Sequence, residues 1–225
     1  QRVAKAAKHI FMLAGGGCMH LVDSIGRCSQ IQYICNLHEQ ACAIAADAYG
    51  QYTNSLGVSL VTTGPGGTNA VTGVAAAWMD STPTLFISGQ VKRSDLSAGL
   101  GVRQMGFQEA DIVSIVRPIT KYAVTIMEPD SIRYHLEKAM YMANSGRPGP
   151  VWIDIPLDVQ AAQVDHNKMS AYNSKDDEKR IDANALNGKV RAVIETFNKS
   201  ERPAILAGNG VRLGNGLDLF YNLVD

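Results

Sequence analysis

Short apolar runs alternate with stretches of helical period from residue 9 to residue 156. The runs "HIFMLAG" (9–15), "IQYICNL" (31–37), "GVSLVTTG" (57–64), "PTLFISG" (83–89), "KYAVTI" (121–126) and "GPVWIDIP" (149–156) have the length of strands. The β-branched run at 57–64 has no polar alternation, which predicts a strand buried on both faces, as in a parallel sheet. Between these runs, residues 39–52 are alanine-rich, and neither Gly nor Pro interrupts them before Gly50, so they read as a helix. The segments "CMHLVDSIG", "TNAVTGVAAAWMDS" and "QEADIVSIV" read likewise, the last stopped by Pro118. "PDSIRYHLEKAMYMANSG" is a further helix, with Pro in its first turn and Gly146 at its end. Strands alternating with helices of this length predict an α/β domain, a mainly parallel sheet with helices on both faces.

After Leu157 the texture changes. The stretch to Arg180 is polar, charge-rich and without sustained period, as an interdomain linker is. "NALNGKVRAVIETFNKSERPAILAGNGV" then restarts a helix, strand, helix order and ends after about one such unit, too little for a domain by itself. The expected division is a domain at 1–160, a linker at 161–181 and the start of another domain at 182–225. Both that ending and an initial Gln rather than Met read as a fragment of a longer protein.

Charge narrows the functional classes. With 21 basic and 21 acidic residues the net charge is zero, so neither a nucleic-acid footprint nor attraction to an anionic membrane is expected. No apolar stretch is long enough to span a bilayer. The basic-then-apolar N-terminus is too short in its apolar part for a signal peptide and leads into a glycine loop. The four cysteines, at 18, 28, 35 and 42, form no C-x-x-C pair. They read as reduced structural thiols of a cytoplasmic protein, with Cys35 and Cys42 buried around Glu39.

Three features lie where strands of such a sheet end, the edge at which ligands gather: the loop Gly15, Gly16, Gly17, the acid Glu39, and the loop from Gly64 to Gly67. Taken singly they are weak. Glu39 stands at a helix start, where a carboxylate is favoured without any chemical role. "TTGPGGTN" fits a dinucleotide fingerprint at Gly64 and Gly66 but fails at Asn69, and no phosphate loop of the G-x-x-x-x-G-K type is present. His20, Asp23, His38 and Asp47 read as surface or cap residues.

Read in order, the G-G-G loop, "HEQACAIAADAYG", "TGPGGTN", "WMDSTPTLFISGQV", "FQEADIVSIVRPITKYA" and "RPGPVWIDIPLDVQ" closely resemble acetolactate synthase and related thiamine diphosphate enzymes. The resemblance implies that residues 9 to about 163 are the pyrimidine-binding domain and that 182–225 open a central domain. It implies that Glu39, in His38-Glu39-Gln40, is the catalytic glutamate that hydrogen-bonds a ring nitrogen of the cofactor's aminopyrimidine and so activates it. It also implies that Pro65, Gly66 and Asn69 line that ring, as do Gly15, Gly16 and Gly17, where Gly replaces a usual Pro. Phe107 and Gln108 match residues on the substrate side, and Gln90 and Lys121 are candidates to stand behind them. No metal ligand is expected in this chain. Magnesium belongs with the diphosphate motif of a C-terminal domain, so the chain supplies half of a cofactor site that forms between subunits of a homo-oligomer. The implied substrate is a 2-keto acid such as pyruvate, decarboxylated and joined to an acceptor. Flavin binding, the acceptor, and an amino-acid against a sugar-biosynthesis role stay open. So do two other readings, a subunit of a split decarboxylase and a non-catalytic nucleotide-binding module.

Overall fold

The computed structural model describes residues 2–165, 167–177 and 182–224. Residues 166 and 178–181 of the expected linker lie outside the described residues. The chain divides into two compact units, Gln1–Asn173 and Ser174–Asp225.

In the first unit the helix α1 (Arg2–Ala6) precedes strand β1 (His9–Met12). There follow α2 (Met19–Gly26), β2 (Gln32–Cys35), α3 (Glu39–Thr53), β3 (Gly57–Val61) and α4 (Pro65–Asp80). Next come β4 (Thr84–Gln90), α5 (Ile112–Val116), β5 (Tyr122–Thr125), α6 (Ile132–Asn144), β6 (Pro150–Pro156) and the short α7 (Leu157–Gln160). The six strands form one sheet in the order β2-β1-β3-β4-β6-β5, and every pairing is parallel. Each of the six strands expected before residue 157 is present, and the α/β expectation holds.

The period-2 rule of strands divides the core into two layers. Leu85 and Ile87 of β4 point to one side, where Val58, Leu60, Val151 and Ile153 join them beneath residues of α1, α2 and α6. Phe86 points to the other side, stacked on Trp152 at 5.5 Å and 13°, among Val74, Ile112, Val113 and Val116 of α4 and α5. β3, β4 and β6 are buried along their whole length, because helices cover both faces. β2 is exposed throughout. It is an edge strand, which is why Cys35, expected to be buried, is exposed while Cys42 on α3 is not.

The helices α3 and α4 meet more closely than ordinary side chains allow. A Cβ placed on Gly73 would lie 2.5 Å from the Ala43 Cβ and 2.8 Å from its carbonyl carbon. Ala43 and Ala46 are fully buried on this face. The expectation that size is restricted all along α3 is met on this face only, since Ala41 and Ala48 are exposed. Pro118, expected to stop a helix, sits inside a 3-10 turn at Arg117–Ile119 that continues α5.

The segment expected to be linker divides in two. Residues up to Asn173 belong to the first unit, where the Met169 carbonyl accepts from Arg133 and the Tyr172 ring packs edge-on to Tyr134. The second unit holds α8 (Ala183–Lys199), α9 (Gly210–Leu213) and α10 (Leu217–Val224). The expected strand around "PAILAG" is not formed. Among the described residues it has no ladder partner, and Leu206 is fully exposed, as befits an apolar run with no sheet to join.

The close approach of α3 and α4 yields a first prediction. Gly73→Ala should destabilise the chain by about 1–3 kcal/mol through overpacking. Gly26→Ala, where an added Cβ meets nothing within 4 Å, should be close to neutral. Urea unfolding of both variants measures the difference, and equal midpoints would show that the helices can separate without cost.

Candidate functional site

The sheet reverses its winding between β1 and β3. From β1 the chain moves outward to β2, whereas from β3 it moves the other way to β4. Loops leaving the carboxyl ends of β1 and β3 therefore diverge and open a crevice, the place where such sheets bind ligands. Both expected glycine loops lie there, and close contacts fix each of them. The Gly17 amide donates to Thr62 Oγ1 at 3.1 Å, and a Cβ on Gly15 would lie 2.5 Å from the Thr62 Cβ. A Cβ on Gly89 would lie 2.0 Å from the Gly17 carbonyl oxygen. Gly64 turns the chain into α4 with φ +58° and ψ −117°, a left-handed conformation that favours glycine. A Cβ there would also strike the Gln108 carbonyl, at 1.9 Å.

Glu39 is the first residue of α3 and half-buried. His38 caps that helix, its Nδ1 accepting from the Gln40 amide at 3.1 Å. The Asn69 side-chain amide donates to Glu39 Oε2 at 3.0 Å. A Cβ on Gly66 would come within 3.4 Å of Glu39 Oε1 and 2.6 Å of Thr62 Cγ2, so glycine at this position keeps the space beside the carboxylate open. Among the described residues no cation pairs with Glu39. Glu39, Gly66 and Asn69 thus converge, with Gly15 and Gly17 joined to them through Thr62. Gly16 is exposed and meets nothing within 4 Å, and Pro65 is exposed at the first turn of α4. Gln108, itself at φ +57°, places its carbonyl against Gly64, and its neighbour Phe107 is 83% exposed. Lys121 is elsewhere. It stands at the amino end of β5, opposite the crevice, and its ammonium donates to the Ser145 carbonyl at the end of α6.

Behind the crevice lies a buried polar cluster that the sequence reading touched only at Gln90. The Asp154 carboxylate accepts from Ser88 Oγ at 2.6 Å, Gln90 Nε2 at 3.0 Å and Thr125 Oγ1 at 3.2 Å. Ser88 in turn accepts from the Trp152 ring N–H at 2.8 Å. Gln90 Oε1 accepts from Thr63 Oγ1 at 2.8 Å and from the Val91 amide at 3.0 Å, and its Nε2 also donates to the Ala110 carbonyl at 2.9 Å. One signal for Asp154 was available, an acid in the middle of the fully apolar strand "VWIDIP". Among the described residues no three His, Cys, Asp or Glu side chains cluster as metal ligands would, and no helix is long and apolar enough to cross a membrane.

Burial pushes the Asp154 carboxyl up from 3.8 to about 7, although its three donors each pull it down. The native state then keeps this proton to higher pH than the unfolded chain does. Between 3.8 and about 7 the native state binds more protons, so this group's contribution to stability falls as pH rises through that window and is largest below it. Urea midpoints of wild type and Asp154→Asn measured from about pH 4 to about pH 8 should therefore shift in favour of the variant as pH rises. A constant difference across the range would show that Asp154 titrates alike in both states.

Residues 3–115 match the family described as "Thiamine pyrophosphate enzyme, N-terminal TPP binding domain". The chain belongs to this family. Among curated proteins it is similar to acetolactate synthase large subunits, 36% identical to that of Lactococcus lactis and 35% to that of Buchnera aphidicola from Acyrthosiphon pisum. These matches cover 96% and 95% of this chain and 36% of each relative. It is also 35% identical to the mitochondrial acetolactate synthase of Schizosaccharomyces pombe, over 91% of this chain and 30% of that protein. The chain therefore spans about a third of the length of these relatives.

Proposed function

We propose that this chain is the N-terminal part of a thiamine diphosphate-dependent enzyme that decarboxylates a 2-keto acid such as pyruvate and ligates the product to an acceptor. In that reading it supplies half of the cofactor site. The observation that carries it is the half-buried Glu39, held by Asn69 and facing the glycine-lined space at Gly66 at the sheet's switch point, in a chain of this family. The residues fit a flat heteroaromatic ring. One carboxylate oxygen is engaged by Asn69, the other borders the space that Gly66 leaves open, and Gly15 and Gly17 keep the opposite loop close to Thr62.

The cofactor, when bound, serves as the electron sink that allows the bond beside the keto group to break. This chain's part is to hold and orient. Glu39 holds a proton between its carboxylate and a nitrogen of the aminopyrimidine, the kind of sharing for which a positioned acid–base group is suited. The Asn69 amide fixes the carboxylate's rotation through a charge-assisted bond, stronger than a neutral one. Pro65, Gly66 and the loop Gly15–Gly17 line the ring, while Phe107 and Gln108 stand on the substrate side. Magnesium would be held with the diphosphate by a separate C-terminal domain. Residues 182–225 are the beginning of the central domain, and the enzyme is cytoplasmic.

In the complete enzyme Glu39→Gln should keep the fold and slow 2-keto-acid decarboxylation by roughly 10²- to 10⁴-fold, the usual worth of such a group. Steady-state rates at saturating cofactor decide it, and near-normal turnover would remove Glu39 from this role.

The same reading places the cofactor between subunits, with α3 and α4 meeting a second copy. The outer faces support this. Ile44 and Tyr52 on α3 are 45% and 91% exposed and Met79 on α4 is 69% exposed, beside the small side chains Ala41 and Ala48. Sedimentation of the complete enzyme should show a dimer or tetramer, and Ile44→Glu should shift it toward monomer. Unchanged association in that variant would place the interface elsewhere.

A further inference from the structure

Glu39, Gly66 and Asn69 depend for their alignment on the turn at Gly64, and that turn begins at Thr63. Thr63 is nearly buried, and its carbonyl accepts from the Gly66 amide at 3.2 Å. The next bond of the turn runs from the Thr68 amide to the Gly64 carbonyl at 3.0 Å. The Thr63 methyl also sits against the opposite loop, where a Cβ on Gly17 would lie 2.9 Å from Thr63 Cγ2. What fixes the Thr63 side chain is therefore coupled to both walls of the crevice. Its hydroxyl donates to Gln90 Oε1 and to no other group described.

Gln90 has every hydrogen-bonding position in use. The Val91 amide can only donate and the Ala110 carbonyl can only accept, so the amide's orientation is determined, with Oε1 toward Thr63 and Nε2 toward Asp154. Asp154 completes the set by accepting the remaining Gln90 N–H, and it is in turn enclosed by two hydroxyl donors, Ser88 and Thr125. We propose that Asp154 and Gln90 are positioning residues of the crevice, holding Thr63 and through it the Gly64–Gly66 turn at the distance that Glu39 and Asn69 require. The assignment to the thiamine diphosphate site rests on the function proposed above. The mechanical coupling stands on the hydrogen bonds alone.

An Asn at 154 has one acceptor oxygen for three converging donors. It must turn its own amino group either on Ser88, whose hydroxyl already donates there, or on Gln90 and Thr125. Thr63→Val removes only the hydroxyl and keeps the shape. Amide hydrogen exchange on this chain without ligand tests the coupling. Asp154→Asn and Thr63→Val should each speed exchange at Gly66 and Thr68 by about tenfold, the scale of one net hydrogen bond. The double variant should add little to either alone, since the two act in series. Exchange at Gly57 and Thr82, bonded to Pro83 and Ala77 at the far edge of the sheet, should stay as it is. Acceleration of all four amides together would assign Asp154 a purely global structural role. Additive effects, or an unchanged turn in Thr63→Val, would likewise overturn the proposal, and Thr63→Val keeps the test open should Asp154→Asn fail to fold. In the complete enzyme, thiamine diphosphate affinity measured by calorimetry should fall about tenfold in Thr63→Val. If the wild-type enzyme itself binds no thiamine diphosphate, the functional reading fails while the exchange result is untouched.

Discussion

The approach of α3 to α4 fixes the geometry of everything that follows. Each helix leaves the carboxyl edge of the sheet, α3 after β2 and α4 after β3, so their first turns lie side by side over the crevice. Glu39 belongs to one first turn, Gly66 and Asn69 to the other. The distance between them is set further down, where Gly73 meets the backbone of Ala43 without an intervening side chain. A larger residue there would act as a wedge, and interiors packed at crystal density transmit such displacements rather than absorb them. The 3.0 Å bond between Asn69 and Glu39 is in this sense a consequence of a missing methyl group several residues away.

The crevice is backed by a cluster of buried polar side chains. Ser88, Gln90, Thr63 and Asp154 lie toward the carboxyl ends of β3, β4 and β6, on the side of the sheet that buries Phe86, Trp152, Val61 and Val74. Burying such groups costs stability unless each finds a partner, and a half-satisfied network is worse than none. Here the partners are found within the cluster: the three donors around Asp154, the indole on Ser88, the saturated amide of Gln90. The raised Asp154 pKa shows that desolvation still outweighs those donors. A core built for stability alone would place leucine or valine at these positions. The buried carboxyl costs stability, and what it contributes is a fixed orientation for Gln90 and through it Thr63.

Legibility in the sequence followed the nature of each signal. The strands were visible because the apolar runs have strand length and four of the six end in Gly or Pro, and α3 because Ala-rich sequence has one strong preference. The two glycine loops and Glu39 could be named from residue order, since each follows a strand. Their convergence through Thr62 could not, because nothing local distinguishes that threonine from others that pair only with their own turn. Lys121 could have been placed from the sequence: as the first residue of the run 121–126 it stands at the amino end of a parallel strand, away from the carboxyl ends where ligands gather. The strand at "PAILAG" failed because a strand is a property of a sheet, and its sheet requires partners that this unit does not contain. Asp154 was legible in principle, as a charge inside a hydrophobic run, yet its partners are drawn from two other strands, β4 and β5.

A half-buried acid at the head of a helix raises the question of what balances it. The helix N-terminus offers partial positive charge and Asn69 a donor, but no side-chain cation among those described approaches Glu39. A carboxylate so placed keeps one oxygen available, in a space bounded by glycine rather than by charge. A lysine or arginine in that space would satisfy the acid permanently and close the crevice, leaving a surface ion pair of little worth. Glycine leaves the position open, and in the proposed reading it is taken by a ligand with a protonatable nitrogen that can exchange a proton with the acid. The absence of a basic partner and the presence of Gly66 are therefore two aspects of one arrangement. In the function proposed above, a site that shares a proton with a bound ring needs the acid to be oriented but not neutralised, and Asn69 supplies orientation without charge.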